Sequence, residues 1–350
     1  AYIENHFKSL GLAPGNQGVF QQQYPVFQDS LVSAAMEING KKFENNKDFA
    51  VNLGSSYSAT MFGSEVVFVG YGISDSTRDD YAGVNTRGKV VLILAGTPPP
   101  PPNQPAPAPG TRRGFNPFAQ QDAAAKNGAA AILVVQTNFP RRAGNTRGAQ
   151  YTNGFKRSIY PNSFAISEAL AEAIMGADYA PAKEAMKAGN PAAKSYSSNI
   201  MLDFNKSTLK LESSNVIGFL EGTDLKDEFV VISSHYDHLG KRDEKTIYYG
   251  ADDDGSGTVG VLELAEAFVK AKAEGKGPRR SIVFITVSGE EKGLWGSNWY
   301  SEHPTYPLEK TTVDLNIDMI GRIDPKRKTG DSTNYVYVVG DDKLSSDLKV

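Results

Sequence analysis

Three short apolar runs, each with a metal-binding side chain just past its end, constrain this chain more than any other feature. They are Phe229-Val-Val-Ile-Ser-Ser-His235-Tyr-Asp237, Ser281-Ile-Val-Phe-Ile-Thr-Val-Ser-Gly-Glu290-Glu291 and Thr312-Val-Asp-Leu-Asn-Ile-Asp318. Runs of this length, rich in β-branched residues, predict buried strands. Between the first two lies Gly250-Ala-Asp252-Asp253-Asp254-Gly-Ser-Gly257. In open α/β sheets, ligands bind outside the carboxyl ends of the strands. One imidazole and several carboxylates delivered to that edge predict a metal site, with hydrolysis as its chemistry.

Composition narrows the alternatives. The 350 residues are 22% charged and carry a net charge of -3, which gives no electrostatic case for nucleic acid or an anionic membrane. The apolar runs are far too short for a membrane span. There is no cysteine, so a metal must be held by His and carboxylates. The length predicts two domains.

In the first half, Glu65–Val69, Lys89–Leu94 and Ala130–Val135 read as strands. Phe118–Lys126 reads as a helix ended by Asn127-Gly128, and Ser167 as the cap of a helix running to Met175. The proline-rich stretch Thr97–Pro109 reads as a surface loop lengthened by insertion. From Asn215 onward the pattern is a clean α/β alternation. Asn215–Leu220 and Phe229–Ser234 read as adjacent strands. Ser256–Lys272 reads as a helix whose Val261, Leu264, Ala265 and Phe268 face the sheet. Gly293–Glu302 reads as a short helix. The first residues, Ala1–Leu10, and the last, Asp341–Val350, both read as helices cut short, which predicts a natural protein longer than this chain.

Each chemical feature also has a plain structural explanation. His235 alone could be a satisfied core histidine; Asp237, two residues on, is placed to orient it. One aspartate would cap the helix after residue 254, but three adjacent carboxylates repel one another and a cation would relieve them. Glu290-Glu291 alone would pass for a solvated pair, yet two carboxylates in different environments can divide into metal ligand and general base. Asp318 interrupts an apolar run, which is costly unless it is paired or bound. The set suits zinc, or manganese or cobalt in its place.

Together, His235-Tyr-Asp237, Gly250–Gly257, Gly289-Glu-Glu-Lys-Gly-Leu-Trp-Gly-Ser297 and Asn316-Ile-Asp-Met-Ile-Gly321 resemble, in order, the motifs of the two-zinc exopeptidases. That family includes bacterial leucyl aminopeptidase and the glutamate carboxypeptidase-like enzymes. The resemblance implies an α/β fold: a mixed, mostly parallel central sheet flanked by helices. It also implies an inserted β-rich protease-associated domain, whose style Val67–Gly72 and Asp80–Leu92 match. The implied division is 1–45 and 206–350 for the peptidase domain, truncated at its C-terminal end, and 46–205 for the insertion. By the same resemblance, His235 and Asp318 hold one zinc, Glu291 holds the other, and Asp253 bridges both. Asp254 follows Asp253 across a cis peptide, Glu290 is the general base, and Asp237 orients His235. The activity implied is zinc-dependent aminopeptidase action on peptides with a free terminus, with a secreted or periplasmic home.

The family supplies a second His to the zinc held by Glu291, late in the chain, and here no His follows Asp318. His238 is expected to point elsewhere and His303 to sit at a helix end. The second zinc position is therefore expected to hold only carboxylates and to bind weakly. Three other readings remain at this stage: a glutaminyl cyclase on the same fold, a non-catalytic receptor-like member, and a calcium-holding binding module. The paired Glu290-Glu291 disfavours the first, the intact ligand set the second, and His235 the third.

Overall fold

The computed structural model describes residues 1–54, 57–76, 78–96, 117–141, 146–152, 160–190, 193–331 and 333–344. The proline-rich stretch 97–109 and the last residues of the expected C-terminal helix lie outside them. The chain divides into two compact units, one made of 1–26 with 211–350 and the other of 27–210.

In the first unit, the strand Thr311–Asn316 pairs in parallel with Leu225–His235, which pairs in parallel with Arg280–Val287. The end of the long strand Lys194–Leu220 then runs antiparallel to Arg280–Val287, from Val216 to Leu220. Asn215–Leu220 and Leu225–His235 are thus not neighbours, as the short link between them suggested. Arg280–Val287 takes the place between them. Its side chains alternate between two buried layers, so it fits where both sheet faces are covered. Ile282 and Phe284 join Phe7, Val216, Ile232, Val261 and Ala265 on one face. Val283, Ile285 and Val287 join Ile217, Val231 and Tyr300 on the other. Each such large side chain, fully buried, contributes roughly 1.5–3 kcal/mol.

The helix Gly255–Ala273 follows the Asp triplet and packs on the first layer. Val261 and Ala265 are fully buried, and Phe268 packs beside them. Leu264, expected to face the sheet, is exposed, and Leu262 is buried in its stead. The buried stripe is therefore rotated from the expected one, following where the sheet lies rather than the apolar spacing alone. The helix Trp295–Glu302 contributes Tyr300 to the opposite layer.

The second unit has Ala59–Phe68, Val90–Leu94, Ala131–Val135 and Asn162–Ile166 in parallel order, closed by the antiparallel Phe49–Val51. Helices Pro117–Lys126, Glu168–Met175 and Tyr179–Lys187 accompany them. Ser167 caps its helix as expected, its side chain accepting from the Leu170 N–H. The unit begins at Phe27, ahead of the expected boundary at 46, because Gln21–Ile38 is a strand whose Phe27–Ser30 pairs with Arg147–Tyr151 and whose end pairs with Lys41–Phe43.

Candidate metal centre

The site forms at the carboxyl ends of the three parallel strands of the first unit. His235 is the last residue of its strand and only 2% exposed. Its Nδ1 lies 3.0 Å from the Asp237 carbonyl oxygen. Donation to that carbonyl leaves Nε2 with a free lone pair. Nε2 is buried without a hydrogen-bond partner and faces acids: Asp253 Oδ1 at 3.2 Å, Glu290 Oε2 at 3.8 Å and Asp318 Oδ2 at 3.8 Å. Asp237 therefore orients His235 by its carbonyl, where a carboxylate was expected. Its carboxylate lies 3.8 Å from Nδ1 and accepts the Glu290 N–H at 3.1 Å.

The three aspartates of the triplet separate by role. Asp254 is 1% exposed and takes the N–H groups of His235 at 3.1 Å, Gly257 at 2.9 Å and Met319 at 3.3 Å. It ties three segments of the site to one carboxylate. Burial lifts its pKa to about 6, against the pull of those hydrogen bonds, and Asp318 adds to the rise. Asp252 accepts the Gly321 N–H at 2.9 Å, and Ser256 Oγ accepts the Ile320 N–H at 3.0 Å. These bonds fix the turn just past Asp318. Asp253, joined to Asp254 by a cis peptide as expected, is left facing His235.

Gly289 and Gly293 bracket the single turn Glu290–Lys292. Gly289 adopts φ +72°, and a Cβ there would meet the Trp295 ring at 2.7 Å. Burial raises the Glu290 pKa; His235 opposes the rise, and Glu291, Asp318 and Asp237 reinforce it. Behind this turn is a polar support that sequence reasoning missed. Asn215, fully buried, donates to Gln22 at 3.0 Å and to the Gly296 carbonyl at 2.8 Å. Tyr24 donates to the Ser288 carbonyl at 2.8 Å. Only the burial of Asn215 within an apolar run could have signalled it.

His238 overturns its expectation. Its Nδ1 lies 2.7 Å from Glu291 Oε1, outside hydrogen-bonding alignment, and both atoms are buried without a hydrogen-bond partner. His238, Asp253 and Glu291 have ligand atoms within 4.8 Å of one another, as do His235, Asp254 and Asp318. In the second trio we favour Asp253 over Asp254 as ligand, because the oxygens of Asp254 already accept three backbone N–H groups while Asp253 stands 3.2 Å from Nε2. The second position thus has a nitrogen donor and is not confined to carboxylates. Asp318 is at the mouth, with Met319 and Ile320 exposed, and not among buried apolar neighbours as expected. His303 stays away from the cluster, stacked on Trp299 at the end of its helix. Buried imidazole nitrogens and a carboxylate oxygen without partners, grouped with further carboxylates, fit a divalent transition metal.

Residues 215–345 match the family model described as Peptidase family M28. A probable zinc metalloprotease of Pyricularia oryzae is 37% identical over 115 residues, 31% of this chain and 21% of that protein. Aminopeptidase YwaD of Bacillus subtilis is 32% identical over 124 residues, 33% of this chain and 25% of that protein. A solved aminopeptidase from Aneurinibacillus sp. strain AM-1 aligns over 91% of this chain and 64% of its own, at 23% identity and a TM-score of 0.47. The matches span from 11% to 25% of the length of the curated relatives. The matched segment, 215–345, holds His235, Asp237, Asp253, Glu290, Glu291 and Asp318.

Proposed function

We propose that this chain carries the catalytic centre of a zinc-dependent exopeptidase of the aminopeptidase type. The observation that carries the reading is the buried, unpartnered Nε2 of His235, turned toward Asp253, Glu290 and Asp318 from three other segments. An unpaired buried nitrogen of this kind is costly unless a ligand completes it. His235, Asp253 and Asp318 would hold one ion, and Asp253, Glu291 and His238 a second. Zinc bound there supplies a Lewis acid and lowers the pKa of water.

The chain's own residues supply the rest. Glu290, its pKa raised by burial, takes a proton from the attacking water and returns it to the leaving amine. Asp237 holds the Glu290 backbone and the His235 ring together, so base and ligand keep a fixed separation. Asp254 and Asp252 hold the segments that carry the ligands. The aminopeptidase direction is supported by the Bacillus subtilis relative, and the inserted unit is assigned as a protease-associated domain from Val67–Gly72 and Asp80–Leu92. The test is release of the first residue from a free-amine peptide with zinc present, against its N-acetylated form. Faster cleavage of the acetylated peptide would refute the aminopeptidase assignment.

A further inference from the structure

The second unit holds a cavity of about 510 Å³ along one face of its parallel strands, lined from Ile132 and Ser163 near their starts to Gln136 just past an end, and separate in its residues from the metal centre. Ile93, Val134 and Ala165 give it an apolar floor, and Gln121, Gln136 and Arg141 give it polar groups. Gln136 directly follows the strand Ala131–Val135, the edge at which open parallel sheets bind ligands. Arg141 is half-buried there and is the only charged residue among the described lining residues.

The guanidinium is held in place but not neutralised. Its Nη2 donates to Gln136 Oε1 and to Asn138 Oδ1, the latter at 3.0 Å. The Phe139 ring lies against it, with the centroid 4.5 Å from Cζ. Its backbone N–H is fixed to the Asn46 carbonyl at 2.7 Å. Nε is buried with no hydrogen-bond partner, and so is Oε1 of Gln121, another lining residue. Burial draws the Arg141 pKa down, with no carboxylate to oppose it, yet an arginine stays charged at neutral pH.

We propose that this cavity binds a carboxylate group, carried either by the free C-terminus of a peptide or by a small organic acid. With Nη2 taken up by Gln136 and Asn138, Nε and Nη1 are the donors left for a carboxylate, and the charge strengthens each such bond. The single cation fits a monoanion better than a phosphate dianion. The Gln121 amide can turn to donate from nitrogen, and the apolar floor takes the short carbon chain behind the carboxylate.

The test uses the 350-residue chain with 1,10-phenanthroline, which suppresses peptide hydrolysis without adding a carboxylate. Three probes are titrated: N-acetyl-Ala-Ala as the free acid, its C-terminal amide, and propionate. Binding is followed by amide shifts of Gln121, Gly148 and Ser163 in nitrogen-15 spectra. The free acid should perturb these amides and the C-terminal amide should bind about 10-fold or more weakly, the scale of one charged hydrogen bond. Binding of the peptide acid well above propionate assigns a chain terminus, and equal binding assigns a small acid; either supports the site. Arg141→Gln should weaken the acid by about 10-fold or more and leave the amide unchanged. Arg141→Lys, which keeps the charge but loses the second donor nitrogen, should fall between. Should Arg141→Gln not fold, the acid–amide comparison on the unaltered chain decides alone. No perturbation by either acid, equal shifts for acid and amide, or unchanged affinity in a folded Arg141→Gln would each overturn the proposal.

Discussion

Glu290 and Glu291 are neighbours in sequence with opposite proposed tasks, and the difference can be measured. Glu291 lies 2.7 Å from His238, whereas Glu290 is 3.8 Å from His235 Nε2 with its backbone held by Asp237. Glu290→Gln keeps size and the backbone bond but cannot accept the proton. Turnover should fall by about 10²-fold or more, while zinc affinity changes little. Unchanged turnover would remove Glu290 as the base. Asp29 tests a different residue-scale principle. It is 1% exposed and pairs with Lys206 at 2.5 Å. Burial pushes its pKa up, but hydrogen bonds from Lys206, Thr208 and Tyr151 outweigh burial and leave it below the usual value. A lowered acid pKa gives stability that is present above the unfolded value, near 3.9, and lost as pH falls through the folded one. Asp29→Asn should therefore lower stability at pH 7 by about 3 kcal/mol, leaving Lys206 unpaired. In urea titrations this difference should shrink below about pH 4. At this scale the sequence was informative for chemistry and silent on direction. Motif order gave His235, Asp253, Glu290, Glu291 and Asp318. The turn after His235, which decides where His238 points, has no periodicity to read.

The elements position the site through close approach at one helix start. Gly257 lies in the first turn of the helix Gly255–Ala273, where its N–H binds Asp254. A Cβ at this position would overlap both the Asp254 carboxylate and the Ile317 carbonyl. Two effects compete in Gly257→Ala. Helix propensity favours alanine by about 1 kcal/mol. The overlap with two fixed groups opposes it at a cost of about 1–3 kcal/mol. The overlap wins because Asp254 is pinned by His235 and Met319 and cannot retreat. Gly257→Ala should thus reduce thermal stability and weaken zinc binding about 10-fold, since Asp318 moves with Ile317. A stabilised variant with unaltered zinc affinity would contradict this. The strands and helices themselves were legible, because runs such as Ile282–Val287 have no other soluble use. Their lateral order was not. The short link between Leu220 and Leu225 suggests a hairpin, and only the pairing of both strands with Arg280–Val287 decides otherwise.

Over the whole molecule, the proposed ligands and base come from four segments that are neighbours only when the chain is folded: 235–238, 253, 290–291 and 318. The sequence could not place the start of the second unit, because the pairing of Phe27–Ser30 with Arg147–Tyr151 is between residues more than a hundred positions apart. The same long-range assembly makes the metal a thermodynamic ligand of the native state. An unfolded chain offers single His and carboxylate groups but no converged set, so zinc binds the folded form far more tightly. Stabilisation then follows mass action, about 2.7 kcal/mol at a free zinc concentration of 100 times the Kd. For domains of this size that corresponds to a rise in Tm of about 5–10 °C. The rise should grow with the logarithm of zinc concentration, reverse with a chelator, and disappear when His235 and His238 are both replaced by Ala. Calcium at the same concentration should give little, because two imidazole nitrogens suit a softer ion. Scanning calorimetry across a zinc series checks all four statements. An equal shift with calcium, or one that survives loss of both His235 and His238, would mean that the acids alone gather the ion and that the imidazoles have another purpose.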